Sequence, residues 1–127
     1  MNAYAKGRDA LDDDLADLAV EVFRLLADGT RIRLLWALSG GELTVSALAQ
    51  IVGKAQPSVS QHLAKLRMAR LVRARRDGLQ VYYSLQNEHI ERLVTDAVLN
   101  AEHAMPGLPV HHGGDQSTEC ETAGGGE

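Results

Sequence analysis

Cysteine, proline and aromatic residues are scarce in this sequence, which contains one Cys, three Pro, one Trp and one Phe among 127 residues. A disulfide-stabilised fold is excluded, because the single cysteine, Cys120, has no partner within the chain. A membrane-spanning helix needs about 18 consecutive apolar residues, and neither such a run nor a signal-peptide pattern is present. The sequence therefore predicts a soluble, cytoplasmic protein with one globular domain.

Acidic residues are missing from one long stretch of the chain. Between Lys54 and Arg76 there are seven basic residues and no acidic residue, although the whole chain has a net charge of −4. A local basic block in an otherwise acidic chain is typical of a surface that contacts phosphate groups. The alternative is an ordinary solvated surface, and the predicted fold must decide between the two.

Apolar spacing and capping residues predict five helices and one hairpin. The helices are expected over residues 11–27, over 30–38 with Thr30 as cap, from Thr44 or Ser46 onward, over 56–70, and over 87–104. Strands are expected over 71–76 and 79–85, separated by Asp77-Gly78, whose two positions both tolerate a positive φ. This order predicts a mainly α fold with a β-hairpin wing, a winged helix-turn-helix.

The fourth predicted helix takes the place of the recognition helix, which enters the major groove of DNA. Its apolar stripe is Val59, Leu63 and Leu66, which leaves the polar side chains on other faces. An ordinary amphipathic helix is disfavoured because the basic block, the turn and the hairpin coincide. The predicted DNA-contacting residues are Gln56, Ser58, Ser60, Gln61, His62 and Lys65 on this helix, with Arg73, Arg75 and Arg76 on the hairpin.

Two short stretches, "LADGTR" at residues 26–31 and "SVSQHL" at residues 58–63, resemble the ArsR/SmtB family of bacterial metal-sensing repressors. The resemblance covers about residues 18–104 and is greatest to the mycobacterial nickel/cobalt sensors. It implies a homodimer, joined through its terminal helices, that binds a palindromic operator in double-stranded DNA. It also implies release from DNA when an inducing metal ion binds, with metal-efflux genes as the expected targets.

The family's metal sites can be compared with this sequence one by one. The cysteine-containing site is absent, since Thr44 and Ser46 stand at the two thiol positions and hydroxyl groups are poor ligands for soft metals. The zinc-type site on the last helix is incomplete, because Asn87 and Asn100 replace an Asp and a His. Only His89 and His103 of that site remain.

A single chain cannot join these two histidines through one ion. They are 14 residues apart, which is about 21 Å along a helix. Two copies of the helix packed antiparallel would bring His89 beside His103 of the other copy. The prolines at 106 and 109 can turn the chain back over this site. The predicted ligand set is His89, Glu102, His103, His111 and His112; the resemblance implies the same positions.

Nitrogen and oxygen ligands of this number favour nickel or cobalt, with zinc as the alternative ion. Residues 1–10 are expected to form a flexible arm, 11–105 the DNA-binding and dimerisation domain, and 106–127 a tail. Within that tail, 106–112 carry the two added histidines, and the remainder is expected to be disordered. Cys120 is interpreted as an oxidisable thiol rather than a ligand.

Three alternatives to a nickel or cobalt repressor remain open. The first is a regulator of the same fold that responds to zinc, to redox state or to no metal. The second is a nucleoid-type protein that binds DNA with little sequence preference. The third, an enzyme, is disfavoured because no H-E-x-x-H helix, Ser-His-Asp set or pair of carboxylates is evident.

Overall fold

Five α-helices and three short β-strands make up the computed structural model, which describes residues 8–105. In chain order they are α1 (Asp13–Leu26), α2 (Gly29–Leu38), β1 (Leu43–Thr44), α3 (Val45–Val52), α4 (Gln56–Met68), β2 (Val72–Asp77), β3 (Gln80–Leu85) and α5 (Glu88–His103). The prediction of a mainly α fold with a hairpin wing is confirmed. Among the described helices, none has the length and hydropathy that crossing a bilayer requires.

Helix starts are capped by side-chain oxygens at three of the first four helices. The Asp28 carboxylate accepts a hydrogen bond from Arg31 N at 3.0 Å, and Thr44 Oγ1 accepts one from Ala47 N at 3.2 Å. Asp12 caps α1 in the same way. Such caps satisfy backbone N–H groups that have no partner inside the helix. The prediction that Thr30 caps α2 was wrong, because Asp28 holds the cap and the helix starts one residue earlier.

Helix α4 begins at Gln56, as predicted, and ends at Met68, two residues before its predicted end at residue 70. Ala55 is its N-cap residue and makes no side-chain hydrogen bond. At the other end Arg70 has a φ of 62°, and Leu71 N donates to Leu66 O at 2.9 Å. A left-handed residue followed by such a bond closes a helix and redirects the chain into the next strand.

The sheet has the strand order β1-β3-β2, with both neighbouring pairs antiparallel. The two-residue strand β1 was not predicted, since it is too short to show an alternating pattern. Asp77 pairs with Gln80 inside the ladder, so the turn consists of Gly78 and Leu79. Only Gly78 of the predicted pair has a positive φ, 64°. A glycine at the first central position is the pattern of a type II′ hairpin.

The core lies between α2, α3, α4 and the hairpin. The predicted stripe of α4 is confirmed, because Val59, Leu63 and Leu66 are each 0% exposed. Six other large side chains are fully buried: Leu34, Leu35, Leu48, Leu71, Val72 and Val94. Contacts divide the chain into two compact units, Met1–Glu91 and Arg92–Glu127, and Val94 is the buried residue of the part of α5 in the second unit.

Large apolar side chains on α1 remain exposed to solvent. Leu15, Leu18 and Phe23 are 56%, 65% and 58% exposed. Leu15 and Leu18 are three residues apart, so they are neighbours on one face of the helix. Contiguous exposed apolar surface of this kind commonly marks a contact with another protein.

Candidate nucleic-acid interface

A tight turn joins α3 to α4 and sets the helix-turn-helix unit. Gly53 adopts a left-handed conformation with φ of 68°, and its N–H donates to Ala49 O at 2.9 Å. Lys54 N donates to the same carbonyl at 3.1 Å, which fixes the exit of α3. Glycine serves here because a side chain disfavours that backbone conformation. The turn leaves an open depression lined by Ser46, Ala49, Gln50, Gly53, Lys54 and Gln56.

The polar residues predicted to contact DNA from α4 fall into two groups. Four of them are exposed: Gln56, Ser60, Gln61 and Lys65. Ser58 and His62 are half-buried instead. Gln61 and Lys65 lie on the side of the helix away from the buried stripe, and Gln56 and Ser60 are exposed near its N-terminal end. Its amide, hydroxyl and ammonium groups are those that bond base edges and phosphates.

His62 has a specific partner that the sequence did not indicate. Its Nδ1 atom lies 3.1 Å from NH1 of Arg31, a residue of α2 that precedes it by 31 positions. The Nε atom of Arg31 also donates to Leu25 O, in the last turn of α1, at 2.6 Å. The only signal available in the sequence was that Arg31 and His62 belong to the two stretches that resemble the family.

Arg31 is anchored through its backbone as well. Its N–H bond to Asp28 is the main reason that the pKa of the Asp28 carboxyl lies below its ordinary value of 3.8. The nearby positive charge of Arg31 acts in the same direction, and partial burial of the carboxyl opposes it. Asp28, Arg31 and His62 therefore form one connected group at the junction of α1, α2 and α4.

The three predicted arginines of the wing are exposed but are not equivalent. Alternation along β2 places Arg73 and Arg75 on one face and Arg76 on the other. Arg75 is held in an ion pair with Glu42, and its guanidinium lies 4.8 Å from the centroid of the Tyr82 ring. Within residues 8–105, Arg73 and Arg76 form no ion pair.

The Glu42 pair shifts both ionisation equilibria. The hydrogen bonds from Arg75 lower the pKa of the Glu42 carboxyl, and they raise the pKa of the Arg75 guanidinium. Both side chains remain ionised at neutral pH, and the Nε and NH2 atoms of Arg75 already donate to Glu42. Arg73 donates through Nε to Ser84 Oγ at 3.4 Å, which leaves its two terminal nitrogen atoms available to a phosphate group.

The predicted metal ligands are only partly within the described residues. His89 is the second residue of α5, and Glu102 and His103 are its last two, while His111 and His112 lie outside the described range. Nowhere in residues 8–105 do three or more His, Cys, Asp or Glu side chains gather as a metal site would require. The described part of one chain therefore does not fit a metal ion, and the predicted two-chain site stays a prediction.

Two residues at positions of the family's metal sites serve the backbone instead. The Oδ1 atom of Asn87 accepts from His89 N at 3.0 Å and from Ile90 N at 3.1 Å, which caps the start of α5. Thr44 caps α3 through its hydroxyl group. Both side chains are committed to helix starts, which agrees with their being poor ligands.

Comparison with known proteins identifies the family. Residues 28–74 match the family described as "Bacterial regulatory protein, arsR family". The chain is 62% identical over 120 residues to the HTH-type transcriptional regulator KmtR of Mycobacterium tuberculosis, covering 92% of each chain. It is 38% identical over 81 residues to the cadmium resistance transcriptional regulatory protein CadC homolog of Staphylococcus aureus, covering 63% of this chain and 67% of that one.

A solved structure agrees with the fold. The homodimeric winged helix-turn-helix DNA-binding domain (fragment 1–100) of a possible ArsR-family transcriptional regulator from Mycobacterium bovis superposes with a TM-score of 0.70. The identity is 30%, and the alignment covers 83% of this chain and all of that one. These matched proteins are transcriptional regulators and not enzymes. With 62% identity to one of them across 92% of its length, the chain belongs to the ArsR family of bacterial regulatory proteins.

Proposed function

We propose that this regulator is a homodimeric repressor that binds operator DNA and is released from it by nickel or cobalt. The observation that carries the DNA-binding part is the exposed polar surface of α4, with Gln56, Ser60, Gln61 and Lys65, at the end of a Gly53-containing turn. Two such helices related by a two-fold axis would enter successive major grooves about one helical turn apart. Because its target is chromosomal DNA, we place the protein in the bacterial cytoplasm.

The apolar surface of α1 supports the homodimer. Leu15 and Leu18 are more than half exposed on neighbouring turns of α1, which is not part of the helix-turn-helix formed by α3 and α4. A two-fold interface buries the same patch on both copies, so one exposed strip supplies both halves of the contact. The Mycobacterium bovis domain of the same fold is described as homodimeric. We therefore propose that α1 and the terminal helix α5 form the seam between the two chains.

The metal response is proposed from the distribution of ligand residues on α5. His89 lies at the start of this continuous helix, and Glu102 and His103 lie at its end. Antiparallel packing of two α5 helices would place His89 of one chain beside Glu102 and His103 of the other. His111 and His112 would complete a set of nitrogen and oxygen donors, which suits nickel or cobalt. The Staphylococcus aureus relative is named for cadmium resistance, but this chain has no thiols at the matching positions.

Coupling between ligand binding and DNA release follows from thermodynamic linkage. When bound, nickel or cobalt would contribute coordination bonds that join α5 of the two chains. His89, Glu102 and His103 would then bias the relative orientation of the two α4 helices, because the same helices form the dimer seam. Any ion that weakens DNA binding must itself be bound less tightly by the DNA complex, typically by 1–3 kcal/mol, a range of about 5- to 150-fold.

A DNA-release experiment tests this proposal. Fluorescence anisotropy of a labelled operator fragment is followed while NiCl2, CoCl2 or ZnCl2 is added to the dimer–DNA complex. We expect nickel or cobalt to release the wild-type protein and His103→Ala to remain bound. Asn100→Ala, an exposed change one turn earlier on α5, is the matched control and should respond like wild type.

Each other outcome identifies an alternative function. Release of His103→Ala by nickel or cobalt would remove the ligand assignment, and release by zinc alone would make the protein a zinc sensor. A complex that stays intact with all three ions would indicate a regulator that responds to redox state or to no metal. Comparison of wild type with Cys120→Ser under oxidant separates those two. Equal affinity for competitor DNA would indicate a nucleoid-type protein.

A further inference from the structure

The side chain of Arg31 connects α1 to the recognition helix. Its Nε atom donates to Leu25 O in the last turn of α1 at 2.6 Å. Its NH1 atom lies 3.1 Å from His62 Nδ1, in the middle of α4. A guanidinium is planar, so the two hydrogen bonds fix its orientation between the two helices. The position of α4 relative to the end of α1 is therefore set in part by one side chain.

The chemistry of this contact defines the state of the His62 ring. Arginine has only hydrogen-bond donors, so the contact requires a lone pair on His62 Nδ1. The ring must then be neutral, with its proton on Nε2. A doubly protonated imidazolium has no acceptor and would place a second positive charge against the guanidinium of Arg31.

The position of His62 on α4 differs from that of the exposed polar residues. Residue 62 is three positions after Val59 and four before Leu66, so it lies beside the buried stripe of the helix. It is half-buried, whereas Gln61 and Lys65 are exposed. Its Nδ1 edge is directed toward α2 and is occupied by Arg31.

We propose that His62 is a positioning residue, which orients α4 by accepting a hydrogen bond from Arg31 and does not read DNA bases. This assignment replaces the expectation from the sequence that His62 contacts DNA, and it rests on the proposed binding of operator DNA by α4. The exposed residues Gln61 and Lys65 are then presented at a fixed rotation of the helix. Loss of the bond lets α4 rotate and lowers DNA affinity without removing any DNA contact.

Two substitutions separate the two nitrogens of the ring. His62→Asn keeps an acceptor oxygen near the place of Nδ1 and removes the group at Nε2. His62→Gln reaches the place of Nε2 and leaves Arg31 without an acceptor at the Nδ1 position. Both variants are uncharged, and circular dichroism establishes that each is folded. Operator affinity of the metal-free proteins is then measured by fluorescence anisotropy.

Positioning predicts that His62→Asn binds within about threefold of wild type while His62→Gln loses about tenfold, as for one hydrogen bond to a charged group. Base reading through Nε2 predicts the reverse order, which would overturn the proposal. Equal affinity of the two folded variants, whether reduced or unchanged, would also overturn it, because the retained acceptor would then make no difference.

A pH profile gives a readout that a purely structural role would not change. A protonated His62 would have no acceptor at Nδ1, so wild-type affinity should fall more steeply than that of His62→Asn as the pH is lowered. The charged groups that face His62 are Arg31 and Asp28. Arg31 keeps its charge throughout, and Asp28 keeps its charge at any pH above its lowered pKa. Parallel profiles for the two proteins would contradict the proposal.

A measurement without DNA separates this inference from the proposed function. Nitrogen-15 NMR of the imidazole in the free dimer reports which ring nitrogen carries the proton. We expect an unprotonated Nδ1 in wild type, changed by Arg31→Gln. A proton on Nδ1 at neutral pH would overturn the positioning role even if the operator is bound. Failure of the wild-type protein to bind any operator would instead overturn the proposed function.

Discussion

Arg75 and Glu42 form a two-pronged ion pair, with Nε to Oε2 at 2.7 Å and NH2 to Oε1 at 2.8 Å. Arg75 belongs to β2 and Glu42 precedes β1, and β3 lies between these two strands in the sheet. The pair therefore spans the central strand, where the Tyr82 ring packs near the guanidinium. This arrangement fastens the wing to the segment that leads into α3.

Because Arg75 is paired with Glu42, we expect Arg73 to contribute more than Arg75 to DNA binding. Each phosphate contact that is lost lowers the magnitude of the slope of log affinity against log salt concentration by about 0.9. We expect Arg73→Ala to lower the slope by about 0.9 for each copy that contacts DNA. The matched control is the double variant Glu42→Gln/Arg75→Ala. It removes one negative and one positive charge that are paired with each other, so the slope should not change. Affinities measured from low to high KCl give both values.

The opposite result has a clear meaning. If the double variant loses as much slope as Arg73→Ala, then Arg75 leaves Glu42 when DNA binds and contacts phosphate itself. Glu42→Gln alone frees the guanidinium of Arg75, so we expect it to increase the slope.

The exposed face of α1 gives a test of the dimer. We expect Leu18→Glu to raise the dimer dissociation constant by about thirtyfold or more, as when a contact worth about 2 kcal/mol is lost at an interface. Analytical ultracentrifugation at several concentrations measures the constant. Leu79→Glu is the control, since Leu79 at the wing tip is 99% exposed and lies away from α1 in the sequence. Equal dimerisation of both variants would show that α1 does not form the seam.

The Asp28 cap makes stability depend on pH. The pKa of this carboxyl is lower in the folded chain than its ordinary value of 3.8, mainly because it accepts a hydrogen bond from Arg31 N. Its stabilising contribution is therefore present above that value and is lost as the pH falls through the lowered pKa. We expect Asp28→Ala to cost about 0.5–2 kcal/mol at about pH 7, as for other helix caps.

Asn retains a capping oxygen but has no charge to lose. We therefore expect Asp28→Asn to be nearer wild type in stability at about pH 7 than Asp28→Ala, and to lose less stability on acidification to about pH 3. Urea unfolding at one fixed protein concentration measures both effects. Parallel pH profiles for wild type and Asp28→Asn would show that the ionised form of Asp28 contributes nothing.

Cobalt provides an optical test of the proposed ligand set. Five or six nitrogen and oxygen ligands give Co²⁺ weak d–d absorption, whereas a four-ligand tetrahedral site gives strong absorption. We expect weak bands for wild type and a changed spectrum for His89→Ala. Metal affinity should fall as the pH is lowered, because imidazoles must be neutral to bind. Strong bands would indicate a site with fewer ligands than proposed.

Local patterns in the sequence were sufficient for most of the fold. The spacing of Val59, Leu63 and Leu66 identified the buried side of α4, since a helix repeats every 3.6 residues wherever it packs. The Asp77-Gly78 dipeptide located the hairpin, although the turn itself is Gly78-Leu79. The cap of α2 was missed because Asp28 and Thr30 are both good caps two residues apart, and the backbone conformation decides between them.

Only the tertiary structure showed the two side-chain pairs of the candidate interface. Arg31 and His62 are 31 positions apart, and Glu42 and Arg75 are 33 apart, so no periodicity links them. Each pair forms because packing of the apolar core brings two elements together and fixes the direction of their side chains. The composition of α4 thus predicted that it binds DNA. Which of its polar residues are free to do so depends on which neighbours have already bonded to them.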